Sequence, residues 1–416
     1  MASLVETLVP ARLGARFRWL LASSWTTNLG DGITLAAGSL LVASLTDDAF
    51  LVSLAALLRW APPLVFGLYA GVLSDRLDRR LIVVLANLVR AVVLAVLVVL
   101  LAAGILTAGA ALVAVGLIAT SEVFVDNTSQ TLLPMIVDRD DLALGNARLQ
   151  TGFLTMNQMA GPPLGAALFA VGRGWPFLAD TVLVLAGVLM VLPVALPPHA
   201  RERGSGPGLR HEVVEGFRWT LTHPAVRTLA LTMLVFNVTF GAAWSVLVLY
   251  ASERLGLGAV GFGLLATLMA VGGLVGTTAY GWITRRVSLG DIMRVGLIIE
   301  TLTHLALALT RSAWFASVVF VVFGAHAFVW GTTAVTVRQR AVPSELQGRV
   351  SGVYAIAGYG GLVVGSVIGG VLANRYGVTA PFWFAFAGSV VFLVGLWREL
   401  SRIAHDDPVA DPAEPS

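Results

Sequence analysis

Apolar residues in this chain come in long runs, and charged residues collect in the short connectors between them. Twelve runs stand out, at about 20–45, 51–73, 81–101, 108–134, 144–171, 176–196, 226–249, 258–283, 290–309, 314–337, 346–373 and 381–397. A helix needs about 20 apolar residues to cross the hydrocarbon core of a bilayer. Helices satisfy their own backbone polar groups in lipid, and these runs are too long for barrel strands. The pattern therefore predicts an all-α polytopic membrane protein with twelve transmembrane helices.

The connectors set the organisation. The long one, LPPHARERGSGPGLRHEVVEGFRWTLTHPAVR, is rich in Gly, Pro and Arg and then turns into a short amphipathic helix around residues 212–222. It divides the chain into six spans plus six. The expected parts are a cytoplasmic N-terminal segment (1–19), a first six-helix bundle (20–196), a cytoplasmic linker (197–225), a second bundle (226–397) and a cytoplasmic tail (398–416). The halves resemble each other. At one offset Gly161 falls on Gly365, Gly165 on Gly369 and Leu168 on Leu372; at a nearly equal offset GVLSDR at Gly71 falls on GWITRR at Gly281. Two pseudo-symmetric bundles around a midplane site are a recurring transporter architecture.

Arginine placement gives the orientation. External connectors hold only Arg173, Arg254, Arg311 and Arg375 when the N-terminus is inside, and every other connector arginine is then cytoplasmic. Both termini are expected in the cytoplasm of a bacterial plasma (inner) membrane protein. The N-terminal run with Arg12, Arg16 and Arg18 continues too far for a signal peptide and reads as an uncleaved first span.

Composition narrows the chemistry. The 416 residues are 57% hydrophobic and 12% charged, with a mean hydropathy of +0.84. Soluble proteins carry roughly twice that charge. There is no cysteine, which removes disulfides and thiol chemistry. All 27 basic residues are arginine, so a phosphate-gripping GxxxxGK[ST] loop and Schiff-base chemistry are excluded. The arginines form no groove-sized patch for nucleic acid. The six histidines show no HExxH or other close ligand pair, and no GxSxG elbow occurs. The chain is not expected to be an enzyme, and no metal or cofactor is expected.

The connector GVLSDRLDRR at 71–80 is the densest in charge. It resembles the signature loop of the major facilitator superfamily through Gly71, Ser74, Asp75, Arg76, Arg79 and Arg80. The resemblance implies the major facilitator fold, with the aspartate meeting the start of span eleven in one of two transport conformations. A carboxylate is stabilised at a helix N-terminus, and Ser344 reads as the N-cap there. These charges would form a latch between the halves. LGDG at 29–32, RWAPPLVFGLYAGVLSDRLDRR, TLLPMIVDRDDLALGNARL and PFLADT resemble the drug and siderophore exporter branch. GPPLGA, with Gly161, Pro162 and Gly165, is similar to the core of the motif associated with antiporters, although Asn157 stands at its upstream glycine. The RxxxG motif of other drug/proton antiporters is absent from span four, so their arginine-assisted relay is not implied.

Charges inside the spans carry the remaining chemistry. Asp31, Arg59, Arg90, Glu122 and Asp126 lie within apolar runs, where each costs roughly 2.5–3.5 kcal/mol at midplane. Glu122 and Asp126 are one turn apart on one face. Two such carboxylates in low dielectric disfavour double ionisation. Asp31 and Arg59 are expected either to form a structural pair or, with Glu122 and Asp126, to exchange protons during transport. Asp180 reads as a helix-start residue near the outer surface, and Glu300 with His304 as a local pair. The resemblance places spans one, seven and ten around a central cavity. Trp25, Asn28, Asn237, Trp244, Ser245, His326 and Trp330 are its candidate lining, suited to a bulky, partly apolar ligand. Glycines on spans eight and eleven allow close helix approach, and Pro62-Pro63 and Pro162-Pro163 are expected to kink spans two and five.

The expected function is a proton-driven exporter of amphipathic small molecules working by alternating access, with substrate, protons and lipid as partners and a monomeric state. A dedicated siderophore or lysolipid carrier is the alternative within transport. A transport-dead sensor is another, although it would be expected to carry an added soluble domain.

Overall fold

The computed structural model describes residues 11–194 and 209–397. The expected N-terminal segment (1–19) and linker (197–225) fall partly, and the tail (398–416) and the last two residues of span six wholly, outside these residues. The described chain is helical, with twelve spans in the order the apolar runs predict. The first six are Gly14–Ala43, Ala49–Arg76, Arg79–Ala102, Ala108–Ile136, an interrupted fifth from Leu142–Gly152 through Phe153–Ala160 to Gly161–Val171, and Trp175–Val191. The second six are Pro224–Trp244 with its continuation Leu247–Leu249 and Tyr250–Arg254, then Ala259–Thr284, Leu289–Leu309, Ala313–Ala341, Gln347–Tyr376 and Ala380–Leu396.

Polar residues in the connectors start the helices. Asp48, Asp78, Thr107, Ser288 and Ser312 each accept a hydrogen bond from a backbone N–H of the first turn of spans two, three, four, nine and ten. Such caps satisfy donors that the helix leaves unpaired and contribute about 0.5–2 kcal/mol each. Span eleven starts differently. Ser344 opens a single tight turn, Ser344–Leu346, and its Oγ donates to Glu345 Oε1 at 2.9 Å. The helix proper begins at Gln347 with no side-chain cap, so the expected Ser344 N-cap is not formed.

The proline pairs act unequally. Pro62 and Pro63 lie inside the continuous helix of span two. In span five the turn before Pro162-Pro163 widens into a π-helix, Phe153–Ala160, and the Gly161 N–H bonds to Met156 O. Proline has no N–H to return to the preceding turn. The carbonyl of Met159 instead accepts from Thr267 Oγ1 at 3.1 Å.

Contacts divide the chain into two units, Met1–Arg203 with Leu247–Thr267, and Gly204–Val246 with Leu268–Ser416. Residues 247–267, expected in the second bundle, thus sort with the first unit. Within the first unit, span one packs on spans five and six, and span three on spans four and six. Within the second, span seven packs on spans eleven and twelve, and span nine on spans ten and twelve. The pairing repeats, as a duplicated six-helix bundle requires. The caps repeat as well: Asp78 and Ser288, which open spans three and nine, stand 210 positions apart.

Glycines make the repeated contact. A Cβ on Gly165 of span five would stand 2.2 Å from Ile33 O of span one. On span eleven, a Cβ on Gly365 would stand 2.3 Å from Val238 O, and one on Gly369 2.1 Å from Ala242 O, both on span seven. The helices touch backbone to backbone at the places the sequence repeat aligns. The linker helix Leu209–Thr222 packs on span eleven in the second unit, where Arg349 Nη1 meets Glu215 Oε2 at 2.8 Å.

Overfilling this seam tests it. Gly365→Ala and Gly369→Ala are expected to destabilise the protein by about 1–3 kcal/mol each, read as a lower Tm in detergent. Gly352→Ala, on the same helix with open space at its Cβ, is the control and should leave Tm unchanged or slightly raised. Equal Tm in all three would show that the glycines do not set the helix approach.

Candidate functional site: a buried arginine ringed by carboxylates

The intramembrane charges of the first unit converge on Arg90. This residue lies midway along span three and is 1% exposed. Its Nη1 donates to Asp31 Oδ1 of span one. Its Nη2 donates to both carboxylate oxygens of Asp180 on span six, at 2.9 and 2.8 Å. Glu122 Oε1 of span four is 3.8 Å from the same nitrogen. One planar fork thus faces acids from three helices, the geometry for which a guanidinium is suited. Arg59 of span two stands on the far side of Glu122, 3.8 Å from Oε2, with its guanidinium over the Trp60 ring at 5.5 Å.

The neighbours are shaped for this cluster. Thr34 Oγ1 donates to Asp180 Oδ2 at 2.6 Å. Gly30 leaves room for the Asp180 carboxylate, since a Cβ there would stand 2.1 Å from Oδ1. Gly32, on the other side of Asp31, lets span five approach, since its Cβ would meet Asn157 O at 2.4 Å. LGDG therefore has a physical reading: the aspartate reaches Arg90 while the flanking glycines admit span six and span five.

Two sequence expectations are corrected here. Asp31 pairs with Arg90 and not with Arg59, which faces Glu122. Asp180 is fully buried in the cluster and is neither a helix-start residue nor near the surface; its helix begins five residues earlier at Trp175. Asp180 was legible as an acid inside the apolar run PFLADTVLV that needs a partner, and Arg90 as a cation in the same position. Asp126, one turn beyond Glu122, is exposed on the unit.

The loop at 71–80 is tied down inside the first unit. Ser74 Oγ donates to Gly71 O at 2.7 Å. Arg79 donates to Ser74 O at 3.1 Å and to Thr131 O of span four at 3.0 Å. Arg80 donates to Leu192 O beyond span six at 3.0 Å. The side chains of Asp75 and Arg76 lie outside the described parts of the structure.

The candidate cavity residues fall into two groups. In the first unit, Trp25 Nε1 donates to Arg148 O at 3.1 Å, and Asn28 Nδ2 to Ser24 O of its own helix at 2.8 Å. In the second, Trp244 stacks on Phe240 at 4.3 Å and lies tilted against Phe323 at 4.8 Å, and Trp330 stacks on Phe236 at 5.6 Å, joining spans seven and ten. Asn237 and Ser245 are buried and donate to carbonyls of their own helix. His326, expected to face a cavity, is 6% exposed and turns towards Glu300 of span nine. Among the described residues no set of three or more acids and histidines is arranged to hold a metal ion.

Comparison with known proteins follows the fold. Residues 6–411 match the family described as "Transmembrane secretion effector" within the major facilitator superfamily. The chain is 28% identical over 380 residues to "Multidrug efflux pump Tap" of Mycolicibacterium fortuitum, covering 87% of this chain and 90% of that one. It is 25% identical over 414 residues to "Enterobactin exporter EntS" of Salmonella paratyphi A, covering 95% of each. Its fold matches a bacterial homologue of the human lysosomal transporter Spinster, with a TM-score of 0.73, 15% identity, and coverage of 97% of this chain and 100% of that chain. A bacterial homologue of the iron transporter ferroportin gives a TM-score of 0.73, 16% identity and coverage of 94% and 98%.

Removing the cation isolates the cluster's worth. Arg90→Met leaves Asp31 and Asp180 without a counter-charge and should cost about 3–5 kcal/mol, seen as a large fall in Tm. Asp126→Asn, on the exposed side, should stay within about 0.5 kcal/mol of wild type. An Arg90→Met protein as stable as wild type would remove Arg90 from the centre of the site.

Proposed function

This chain belongs to the transmembrane secretion effector family of the major facilitator superfamily, and on that premise we propose that it exports amphipathic small molecules by proton-coupled alternating access. The family is one of transporters, not enzymes, and the protein is a multi-pass protein of the bacterial inner membrane. The names of two relatives, a multidrug efflux pump and an enterobactin exporter, share an outward direction and differ in cargo. The aromatic group of Trp244 and Trp330 with polar Asn237 and Ser245 suits a bulky ligand with apolar surface. A dedicated siderophore exporter is the second reading, favoured by the relative named for enterobactin; a lysolipid would be handled in the same way.

The observation that carries proton coupling is the charge balance around Arg90. Two guanidiniums, of Arg59 and Arg90, serve four carboxyls, of Asp31, Glu122, Asp126 and Asp180. The group is neutral only when two of the four hold protons. Asp180 is fully engaged by Arg90 and Thr34. The exchangeable protons therefore sit on Asp31, Glu122 and Asp126. The Asp31 and Glu122 side chains keep 10% and 15% of their surface, against 0% for Asp180. A proton arriving at Asp31 weakens its hold on Arg90 and frees the guanidinium to turn further towards Glu122. Spans one, three and four then share one rearrangement, which is how a proton does mechanical work in a packed bundle.

The arginine bias supports cytoplasmic termini. Asp75, near the end of span two, remains the proposed conformational latch together with Gly71, Arg76, Arg79, Arg80 and Ser344. Gly161 and Gly165 meet span one at Gly32 and Ile33 and, with Pro162, are the proposed antiporter motif; the proposed working unit is a monomer.

Purified protein in liposomes with an imposed pH gradient tests this reading against drugs, siderophores and lysolipids. Substrate-dependent proton movement is expected for at least one class. Asp31→Asn and Glu122→Gln should each abolish uphill export while the protein stays in the membrane. Uphill export by both variants with unchanged pH dependence would move the coupling site away from these acids.

A further inference from the structure

The second unit contains a buried charged cluster for which the export reading has no use. Glu300 on span nine is 1% exposed, His304 one turn further on is 0% exposed, and His326 on span ten is 6% exposed. His304 Nε2 lies 2.9 Å from Glu300 Oε1, and His326 Nε2 lies 3.4 Å from Oε2. Each carboxylate oxygen thus has its own imidazole. From the geometry we infer that Glu300, His304 and His326 form a proton-binding site of the second unit, separate from the cluster around Arg90.

An ionised carboxylate only accepts, so both Nε2 atoms carry hydrogen and donate. With the second nitrogen of each ring unprotonated, both rings are neutral and the cluster has a net charge of −1. No arginine offsets it: among the described residues Glu300 pairs with these two histidines alone. The charged and titratable groups on the elements packed around it lie elsewhere. Arg227 of span seven sits near the start of its helix, and Arg294 of span nine donates to Trp397 O. Asp291 bonds Ser288 at the start of span nine. Tyr280 of span eight is bonded by Thr333. Arg338 and Arg340 close the last turn of span ten, Arg311 is in the exposed connector between spans nine and ten, and span twelve carries no charged residue over Ala380–Leu396.

The place for a proton is visible. His304 Nδ1 is buried and has no hydrogen-bond partner among the described residues. In the neutral Nε2–H form this nitrogen holds a free lone pair. One proton delivered by hydronium and bound there makes His304 an imidazolium against the Glu300 carboxylate and brings the cluster to zero net charge. An N–H bond forms, an O–H bond of the hydronium breaks, and water is left. The His304 ring stands perpendicular to Trp244 at 6.0 Å between centroids. The new positive charge therefore appears beside the aromatic group that joins spans seven and ten.

The duplication gives the location independent meaning. Spans three and nine start at caps 210 positions apart, and the same offset carries Arg90 onto Glu300. Spans four and ten start at caps 205 positions apart, Thr107 and Ser312, and that offset carries Ser121, the neighbour of Glu122, onto His326. The two clusters occupy corresponding positions in the two halves with opposite central charge. In the first, a fixed cation is surrounded by acids; in the second, an acid is held between two imidazoles.

Histidine-labelled full-length protein without an affinity tag, followed by nitrogen NMR from pH 9 to pH 5, reads the protonation directly. His304→Gln and His326→Gln assign the two signals. The expected result is Nε2–H tautomers for both rings at high pH, with one ring of the pair gaining an Nδ1 proton as pH falls. Glu300→Gln removes the attracting charge and should weaken that proton by at least tenfold, a downward shift of one pH unit or more. Should Glu300→Gln fail to fold, His304→Gln keeps a donor to Glu300 without a basic nitrogen, and the protein should take up one proton fewer in an unbuffered acid titration. Rings that keep one tautomer throughout, a titration unmoved in Glu300→Gln, or undiminished proton uptake in His304→Gln would each overturn the assignment. The measurement needs no substrate or transport, so its outcome is independent of the export reading.

Discussion

A guanidinium cannot be left alone in the middle of a membrane protein, and the first unit is organised around meeting that constraint at Arg90. The residue is 1% exposed on span three. Its charge is matched by Asp31 from span one, Asp180 from span six and, at longer range, Glu122 from span four. Satisfying it requires those helices to converge at one depth. Gly30 supplies the space that Asp180 occupies, and Thr34 supplies its remaining donor. Lipid gives helices little hydrophobic reason to associate with one another, so close packing and polar contacts between them carry the specificity. Here both act within two turns of span one.

The second unit repeats the helix pairing but not the electrostatics. Span nine packs on spans ten and twelve as span three packs on spans four and six. The central charge is now negative, and its partners are bases that can be neutral. Ring contacts among Phe236, Phe240, Trp244, Phe323 and Trp330 join spans seven and ten. An arginine cannot lose its charge, whereas a histidine gains or loses one readily. The duplication has thus produced one cluster of acids around a permanent cation and one of imidazoles around an acid.

Much of the fold was legible because hydropathy in lipid leaves few alternatives. Runs of apolar residues gave all twelve spans, and the Asp, Ser and Thr residues before several of them are the caps that start the helices. The glycine repeat on spans five and eleven was visible as sequence spacing, and the structure supplies its cause in the backbone contacts with spans one and seven. The pairing of charges was not legible. Asp31 and Arg59 lie on successive helices, which suggested a pair, but which face of a helix meets which neighbour is set by three-dimensional packing. That packing turns Asp31 to span three and Arg59 to span four. Asp180 was misplaced for a related reason: an acid near the start of a run looks like a cap, and only its depth among spans one and three reveals a counter-ion. His326 was drawn towards a cavity by its aromatic company, whereas the carboxylate of Glu300, on another helix, fixes where it points. Ser344 had the residue type and position of a cap, but the chain makes a separate tight turn before span eleven and leaves it outside the helix.

The central claim is that Arg90 and its carboxylates act as one unit, and a double-mutant cycle between Arg90 and Asp180 tests it most directly. Unfolding free energies would be measured in detergent for wild type, Arg90→Met, Asp180→Asn and the double variant. Each single change strands the other's partner, so the double variant should lose less than the sum of the two by about 2–3 kcal/mol. Costs that add to within about 0.5 kcal/mol would mean that the two side chains are independent and that something other than this cluster holds spans three and six together.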